Sequence, residues 1–267
     1  MAAVVERFRA GSTEAALASF LGDYREHADA RGTGVRSAPA FVRAQPLRTV
    51  LAAVAVVRLP GRRAVLPGPP LAATADARQV REVLGRRLAG IVPVGLTGTA
   101  VLDVPADAEE YLEGNSRQTL RRKLRAATKK GVSARVVRPG ERETLLARAR
   151  AAEQAHPDER YRSADPDLAD LPDYQLWLVA ERDGEPLMLA VLPHAGEWAV
   201  LRHFRTIGTG PAHSDARYLM AVVAVRELSA RGVRHLADTV PATHLPNGLR
   251  HFQRMIGFRY VRVRLAR

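Results

Sequence analysis

The feature that most constrains the fold is the segment over residues 174–208, YQLWLVAERDGEPLMLAVLPHAGEWAVLRHFRTIG. Apolar and aromatic residues recur along it, and short turn signals separate them. The dipeptides Asp183-Gly184 and Ala195-Gly196 are typical of hairpin turns. The segment therefore predicts an antiparallel meander of strands.

Helical and strand patterns lie on both sides of this meander. SDARYLMAVVAVRELSARG follows it and predicts a helix that starts at a cap on Ser214 or Asp215 and stops at Gly232. Before the meander, VSARVV predicts a strand and GERETLLARARAAEQAH predicts a helix. After it, the chain ends in a strand RHLADTV, a helix NGLRHFQRMIG and a strand FRYVRVRL.

The first part of the chain also mixes helices and strands. Residues 13–31 have helical periodicity, which the GTG that follows ends. LRTVLAAVAVVRL predicts a long strand, RRAVLP its return, ADARQVREVLGRRLAG an amphipathic helix and TAVLDVP a further strand. Because helices and strands mix throughout, the predicted fold class is α/β or α+β.

The stretch NSRQTLRRKLRAATKKG concentrates positive charge on one predicted helix, with a cap on Asn115 or Ser116 and a stop at Gly131. A stripe of leucine and alanine is expected to pack one side of this helix against the rest of the protein, and the remaining surface of the helix is positive. Like charges four residues apart destabilise an isolated helix, so an anionic partner is expected; the alternative is a solvated surface. The candidate nucleic-acid-binding residues are Arg117, Arg121, Arg122, Lys123, Arg125, Lys129 and Lys130.

The composition narrows the classes of partner and of chemistry. The chain has 267 residues with 41 Lys plus Arg against 28 Asp plus Glu, a net charge of +13 and a pI near 11.0. This balance favours nucleic acid, a phosphorylated cofactor or an acidic membrane as partner. The lack of cysteine excludes thiol nucleophiles, disulfides and Cys-type zinc sites. The longest apolar run is too short to span a bilayer, so we expect a soluble cytoplasmic protein.

The order of these elements resembles the GNAT acyltransferase fold, and residues 106–263 resemble its Fem-like branch. The stretches that carry the resemblance are RTIGTG, LPNGLRHFQRMIGF and the basic helix. The resemblance implies a mixed, mostly antiparallel sheet flanked by helices, in two GNAT-like halves. It also implies a degenerate partner domain over residues 1–104 and a transferase domain over residues 105–267.

The stretch RTIGTG fits the superfamily's pyrophosphate loop, in which glycines let backbone N–H groups approach phosphate oxygens. The resemblance implies that this loop and the start of the next helix bind a phosphorylated co-substrate. The alternative is a tight turn after a strand. The candidate binding residues are Arg205, Gly208, Gly210 and His213.

Three residues are candidates for the chemistry. His203 lies on a predicted central strand, and an imidazole that titrates near neutrality can take a proton from an amine. Asp238 ends the strand at which GNAT sheets splay, where it would hold an ammonium group or orient a histidine. Gln253 stands where related enzymes place a tyrosine or a lysine, and it can donate a hydrogen bond to an oxyanion but no proton. For each of these residues a purely structural role is the alternative.

The loop over residues 157–173 is acidic within an otherwise basic chain, with six acidic residues against Arg160 and Arg162. Such a loop attracts a cationic amine and repels a polyanion, so it would line the acceptor side or act as a lid. The alternative is a solvated connection. The histidine spacing suggests no metal site.

The predicted function is an acyltransferase that forms an amide bond, without a covalent nucleophile or a tightly bound cofactor. Aminoacyl-tRNA is the favoured donor because of the charge and the Fem-like resemblance, and acetyl-CoA is the alternative because of RTIGTG. The predicted partners are tRNA and an amine of a small molecule or peptide. A non-catalytic RNA-binding module and a membrane-surface aminoacyl-lipid transferase are the remaining alternatives.

Overall fold

The computed structural model describes residues 38–67, 73–88, 92–93, 95, 98–240 and 247–266, together with Leu17, Phe20 and Asp23. The chain divides into two compact units. Unit 1 comprises Met1–Ala64, Leu84–Val101 and Val240–Arg267, and unit 2 comprises Val65–Val83 and Leu102–Thr239. The boundary expected between residues 104 and 105 stays a prediction.

In chain order the helices and strands of the described residues are α1 (Ala38–Ala44), α2 (Pro46–Arg58), β1 (Gly61–Ala64), α3 (Ala75–Gly85), β2 (Arg87–Leu88), β3 (Val92–Pro93), β4 (Thr99–Asp103), α4 (Gln118–Lys129), β5 (Ser133–Val136), α5 (Arg142–Gln154), β6 (Trp177–Arg182), β7 (Glu185–Val191), β8 (His194–Ala195), β9 (Trp198–Leu201), β10 (His203–Thr206), α6 (Pro211–Ala230), β11 (His235–Asp238), α7 (Asn247–Ile256) and β12 (Arg259–Leu265). Short 3₁₀ helices lie at Ala108–Leu112, Asn115–Arg117, Pro139–Glu141, Glu159–Tyr161 and Leu171–Asp173. Most strand pairs are antiparallel, in two main sheets flanked by helices. The predicted fold class is confirmed.

The prediction of a long strand in LRTVLAAVAVVRL is wrong, because these residues form helix α2. Pro46 lies in the first turn, where a fixed φ favours a helix, and the buried residues Ala52 and Ala55 are three apart. The expected return strand is also wrong as a hairpin partner, because β1 pairs in parallel with β12. The helix predicted over residues 13–31 lies outside the described residues, except that Leu17, Phe20 and Asp23 are helical.

Strand β12 is the centre of unit 1. It pairs in parallel with β1 and antiparallel with Thr99–Val101, the first part of β4. Val261 and Val263 are buried on one face of β12, as expected of a strand with period-two alternation. Unit 1 contains a small apolar cluster, formed by Leu17, Ala55 and Leu59. The partly buried residues that pack against it are Phe20, Val56 and Tyr260.

In unit 2 the predicted antiparallel pairing is confirmed for β6, β7 and β10, which form the order β10-β7-β6-β5 with β5, whereas β8 and β9 of the same predicted segment lie in the other sheet. Asp183 and Gly184 both have positive φ, 53° and 78°, which is the geometry of a type I′ hairpin turn. The second predicted turn is displaced by one residue: Ala195 pairs with Trp198, so the turn is Gly196-Glu197. The glycine is needed there because its φ is 56°.

The chain changes sheet at Arg202, the one residue between β9 and β10. Strand β9 pairs with β8 and, in parallel, with β11, whereas β10 pairs with β7. Helix α6 then connects β10 to β11. Neighbouring residues of one continuous segment therefore belong to different sheets, and the two sheets separate at this position.

Two helix starts differ from the predictions. Helix α6 begins at Pro211, directly after Gly210, and not at Ser214 or Asp215. Proline is favoured at the first helical position, and Gly210 has a φ of 124° that other residues rarely adopt. Helix α4 follows a 3₁₀ turn and has Arg117 rather than Asn115 or Ser116 as its N-cap. The stops at Gly131 and Gly232 are confirmed, with φ of 73° and 74°.

Leu189 tests the core of unit 2, because it is fully buried on β7 within a cluster that includes Trp177 and Leu145. Leu189→Ala should lower the free energy of unfolding by about 2–5 kcal/mol. The control Val136→Ala, at an exposed position of β5, should cost less than about 1 kcal/mol. Urea unfolding measures both, and equal losses would contradict this description of the core.

Candidate functional site

Glu153 is a buried carboxylate near the end of α5 that faces strand β10. Its Oε2 accepts a hydrogen bond from Nη1 of Arg205 at 2.9 Å, and its Oε1 lies 3.8 Å from Nδ1 of His203. Within the described residues Oε1 has no hydrogen-bond partner. Burial raises the pKa of Glu153, and the positive charges of Arg205 and Arg202 oppose that rise.

His203 is almost completely buried at the start of β10. Burial, together with the charges of Arg205 and Arg202, lowers the pKa of His203 to about 3. The expected titration near neutrality therefore does not hold in the folded chain, although the imidazole can still accept a hydrogen bond. Its Nε2 is buried without a hydrogen-bond partner in the described part of the chain. The role of His203 as a base stays a prediction.

Sequence reasoning missed Glu153, although a signal for it exists. Leu145, Ala149 and Glu153 are four residues apart along α5, and all three are buried. An acidic residue that continues an apolar helix face requires a compensating partner in the core. That partner, Arg205, lies 52 residues further along the chain.

Arg202 anchors the acidic loop at the point where the chain changes sheet. Its Nε and Nη2 donate hydrogen bonds to the two carboxylate oxygens of Asp170, at 2.7 and 2.5 Å, and Nη2 lies 3.0 Å from Oδ2 of Asp167. Tyr174 donates a hydrogen bond to Asp170 at 2.6 Å. Burial raises the pKa of Asp170, but the hydrogen bonds from Arg202 and Tyr174 outweigh it and hold the pKa below 3.8.

Asp238 lies at the end of β11, next to this change of sheet. In the parallel pairing its Cα is opposite Leu201, the last residue of β9, and Thr239 donates a hydrogen bond to the carbonyl of Leu201 at 2.9 Å. His203 follows Leu201 by two residues. Asp238 and His203 therefore both stand where β9 and β10 part from each other; the role of Asp238 stays a prediction.

The RTIGTG loop is shaped by its glycines and by His213. Gly208 has a φ of 109°, and a Cβ there would lie 2.9 Å from Nε2 of His213. The same nitrogen is 3.0 Å from the carbonyl oxygen of Ile207, to which it donates if it carries the proton. His213 thus packs against the loop, while Arg205 pairs with Glu153. At the start of α6, Pro211 has no N–H and the N–H of Ser214 donates to the carbonyl oxygen of Gly210 at 3.0 Å. The N–H groups of Ala212 and His213 have no partner within the helix and can face an anion.

Gln253 belongs to α7 in unit 1, whereas His203 and Asp238 belong to unit 2. Its side chain is buried, and its backbone carbonyl accepts a hydrogen bond from the N–H of Phe258 at 2.9 Å. The oxyanion role expected of Gln253 stays a prediction.

The basic residues of α4 and its preceding turn divide into two groups. Lys123 and Lys130 both bind the carboxylate of Asp215 in the first turns of α6. Arg121 donates hydrogen bonds to the carbonyl oxygens of Leu112 and Gly114, at 2.5 and 2.9 Å. The guanidinium of Arg117 lies 4.9 Å from the centre of the Tyr111 ring. These four cations are held by contacts within unit 2.

The other three cations, Arg122, Arg125 and Lys129, are exposed and have no partner among the described residues. Their spacing of three and four residues places them on one face of α4. We call these three residues the outer stripe. It is a continuous row of positive charge that pairs with none of the other described residues.

Asp215 explains how Lys123 and Lys130 are held. Its side chain is 4% exposed. Burial raises the pKa of Asp215, but hydrogen bonds from Lys130 and Lys123 outweigh that effect and hold the pKa below 3.8. The carboxylate also lies near the positive N-terminal end of α6, which favours negative charge.

The described residues contain no group of three His, Asp or Glu side chains that could hold a metal ion. None of the helices in this part of the chain combines the length and hydrophobicity needed to cross a bilayer.

The chain is similar to several solved structures. One is the C-terminal domain (DUF2156) of a putative lysylphosphatidylglycerol synthetase from Agrobacterium fabrum, with a TM-score of 0.47 and 19% identity over 61% of this chain and 57% of that chain. Another is L-PGS from Bacillus licheniformis, with a TM-score of 0.46 and 12% identity over 61% and 57%. A third is FemX, with a TM-score of 0.46 and 11% identity over 64% and 60%.

This chain covers less than two thirds of each of these structures. No protein-family model matches the chain, and no curated protein matches it either.

The burial of His203 predicts how the chain responds to acid. Its pKa of about 3 in the folded state lies below the ordinary 6.5 of the unfolded state. Its contribution to stability is therefore complete above pH 6.5 and is lost as the pH falls toward 3. In NMR spectra, the imidazole signal that disappears in His203→Gln should not shift between about pH 5 and 8. In urea it should titrate normally, and a folded-state midpoint near 6.5 would contradict the burial.

Proposed function

We propose that this chain is an acyltransferase that moves an aminoacyl group from aminoacyl-tRNA to an amine of a small molecule or peptide. The observation that supports this most is the outer stripe of α4. Four of the seven cations have contacts within unit 2, and the remaining three face outward in a row. A row of cations without internal partners suits the phosphate backbone of a nucleic acid.

The reaction would proceed by direct attack. The amine nitrogen forms a bond to the ester carbonyl carbon of the charged tRNA, the bond to the ribose oxygen breaks, and the amine proton finally reaches that oxygen. Such a reaction needs a proton acceptor and donors that stabilise the oxyanion, but no covalent nucleophile.

Glu153 and His203 supply a buried proton acceptor in this proposal. Glu153, whose pKa burial raises, takes the proton at Oε1, and His203, with Nδ1 3.8 Å from that oxygen, stays neutral and accepts a hydrogen bond at Nε2. Neither Oε1 of Glu153 nor Nε2 of His203 has a hydrogen-bond partner among the described residues. Asp238 would hold the acceptor ammonium before it loses its proton. Arg202, next to His203 in the sequence, binds Asp167 and Asp170 of the acidic loop. The negative charge of this loop would attract a cationic amine to the acceptor side of the site.

Acetyl-CoA is the second candidate donor. It is favoured by the start of α6 at Pro211, because RTIGTG then leads straight into a helix N-terminus. Gly208 and Gly210 have a positive φ, which favours glycine, and a residue without a Cβ leaves the loop backbone more open to a ligand. This arrangement suits a pyrophosphate.

Titration with bulk tRNA, at several salt concentrations and with saturating acetyl-CoA present, tests the proposal. The native chain should bind tRNA with a steep salt dependence that acetyl-CoA does not remove. In the double variant Arg122→Gln/Arg125→Gln, the slope of log K against log salt should fall by about one unit for each phosphate group that the variant no longer binds. Fluorescence anisotropy measures both quantities.

The matched control is Arg81→Gln/Arg150→Gln, which removes the same charge from two exposed positions outside α4. It should keep the native slope. An equal fall of the salt slope in the two double variants would show that the outer stripe contributes only general surface charge. Loss of tRNA binding in the presence of acetyl-CoA would favour the thioester donor.

Glu153→Gln tests the proton acceptor. The substitution keeps the shape of the side chain but removes its charge, so kcat for aminoacyl transfer should fall by at least about tenfold. The affinity for tRNA should not change, because the outer stripe is intact. The control is Glu143→Gln, an exposed glutamate on the same helix. Native kcat in Glu153→Gln, or an equal loss in both variants, would exclude this role.

A further inference from the structure

Helix α2 exposes an apolar face that the described residues leave uncovered. Leu47, Val50, Val54 and Val57 are 70%, 59%, 38% and 65% exposed. Their spacing of three, four and three residues aligns them along one side of the helix, opposite the buried Ala52 and Ala55. A surface helix of a globular protein normally presents polar residues there, so this face calls for an apolar partner.

The segment that carries this face is cationic. Residues 38–64 contain five arginines and no aspartate or glutamate. Arg43 and Arg63 are exposed and have no partner among the described residues, whereas Arg48 pairs with Asp23. An apolar helix face within a cationic segment suits the two contacts that an anionic bilayer surface offers, acyl chains and negative headgroups.

The same charges argue against a second copy of the chain as the occupant. A two-fold contact through α2 would bring the same patch of both copies together. The arginines of residues 38–64 would then face their equivalents with no acidic residue from this segment to compensate them. A nucleic acid would match the charges, but it would leave the four large apolar side chains in water.

We propose that α2 docks unit 1 onto the surface of an anionic lipid bilayer, with Leu47, Val50, Val54 and Val57 inserted between the lipids and the helix parallel to the membrane plane. The arginines of this segment contact the headgroups. This docking is independent of the acyl-transfer proposal, and it needs neither tRNA nor a reaction to be measured.

Flotation with vesicles tests the proposal directly. The full chain should float with vesicles of phosphatidylcholine containing one third phosphatidylserine, and far less with phosphatidylcholine alone. Val50→Ser/Val54→Ser should weaken binding by at least about tenfold, because two of the inserted side chains are removed. Arg43→Gln/Arg63→Gln should weaken binding to the anionic vesicles, and added salt should do the same.

The control is Val65→Ser/Val136→Ser, which alters two exposed valines outside α2, and it should bind as the native chain does. Thermal unfolding verifies that the variants fold, and Leu47→Ser, at the most exposed of the four positions, replaces the double variant if that one unfolds. Native binding by the folded α2 variant, or no flotation of the native chain, would overturn the proposal. So would a concentration-dependent dimer that the α2 variant abolishes in sedimentation analysis.

Discussion

The contact of Lys123 and Lys130 with Asp215 is the interaction on which the candidate nucleic-acid surface depends. A carboxylate that is almost fully buried requires compensating charge, and these two lysines supply it from a different helix. The contact fixes how α4 is rotated about its axis against α6. That rotation turns Arg122, Arg125 and Lys129 outward, so one ion cluster within unit 2 determines which part of the positive charge a partner can reach.

A second group of charges organises the place where the sheets separate. Arg202 stands between β9 and β10 and holds the acidic loop through Asp170, while Arg205 reaches Glu153 on α5. His203 lies between these two arginines in the sequence, and its burial, together with their positive charges, keeps the imidazole neutral. The cluster thus combines a splayed pair of strands with an imidazole nitrogen and a carboxylate oxygen that are buried without a hydrogen-bond partner in the described part of the chain.

Local signals in the sequence predicted much of this fold, and the failures have physical causes. The type I′ turn at Asp183-Gly184, the meander and the glycine stops were predictable because they depend on neighbouring residues. Helix α2 was mistaken for a strand because an uninterrupted apolar run has no period. The sequence could not predict which basic residues have partners within unit 2 and which form the outer stripe, because Asp215 lies 85 and 92 residues from Lys130 and Lys123. Glu153 continues the apolar face of α5 in the sequence, but its partner Arg205 lies 52 residues away and could not be predicted from local spacing.

The most direct test of the central claim is a transfer assay with tRNA charged with a mixture of radiolabelled amino acids, offered with a set of primary amines. Ester-linked label is released from tRNA by mild alkali, whereas an amide product keeps it. The proposed function predicts alkali-stable label on an amine, formed only when the chain is present, and no such product from labelled acetyl-CoA. Product from acetyl-CoA alone, with the charged tRNA left intact, would contradict it.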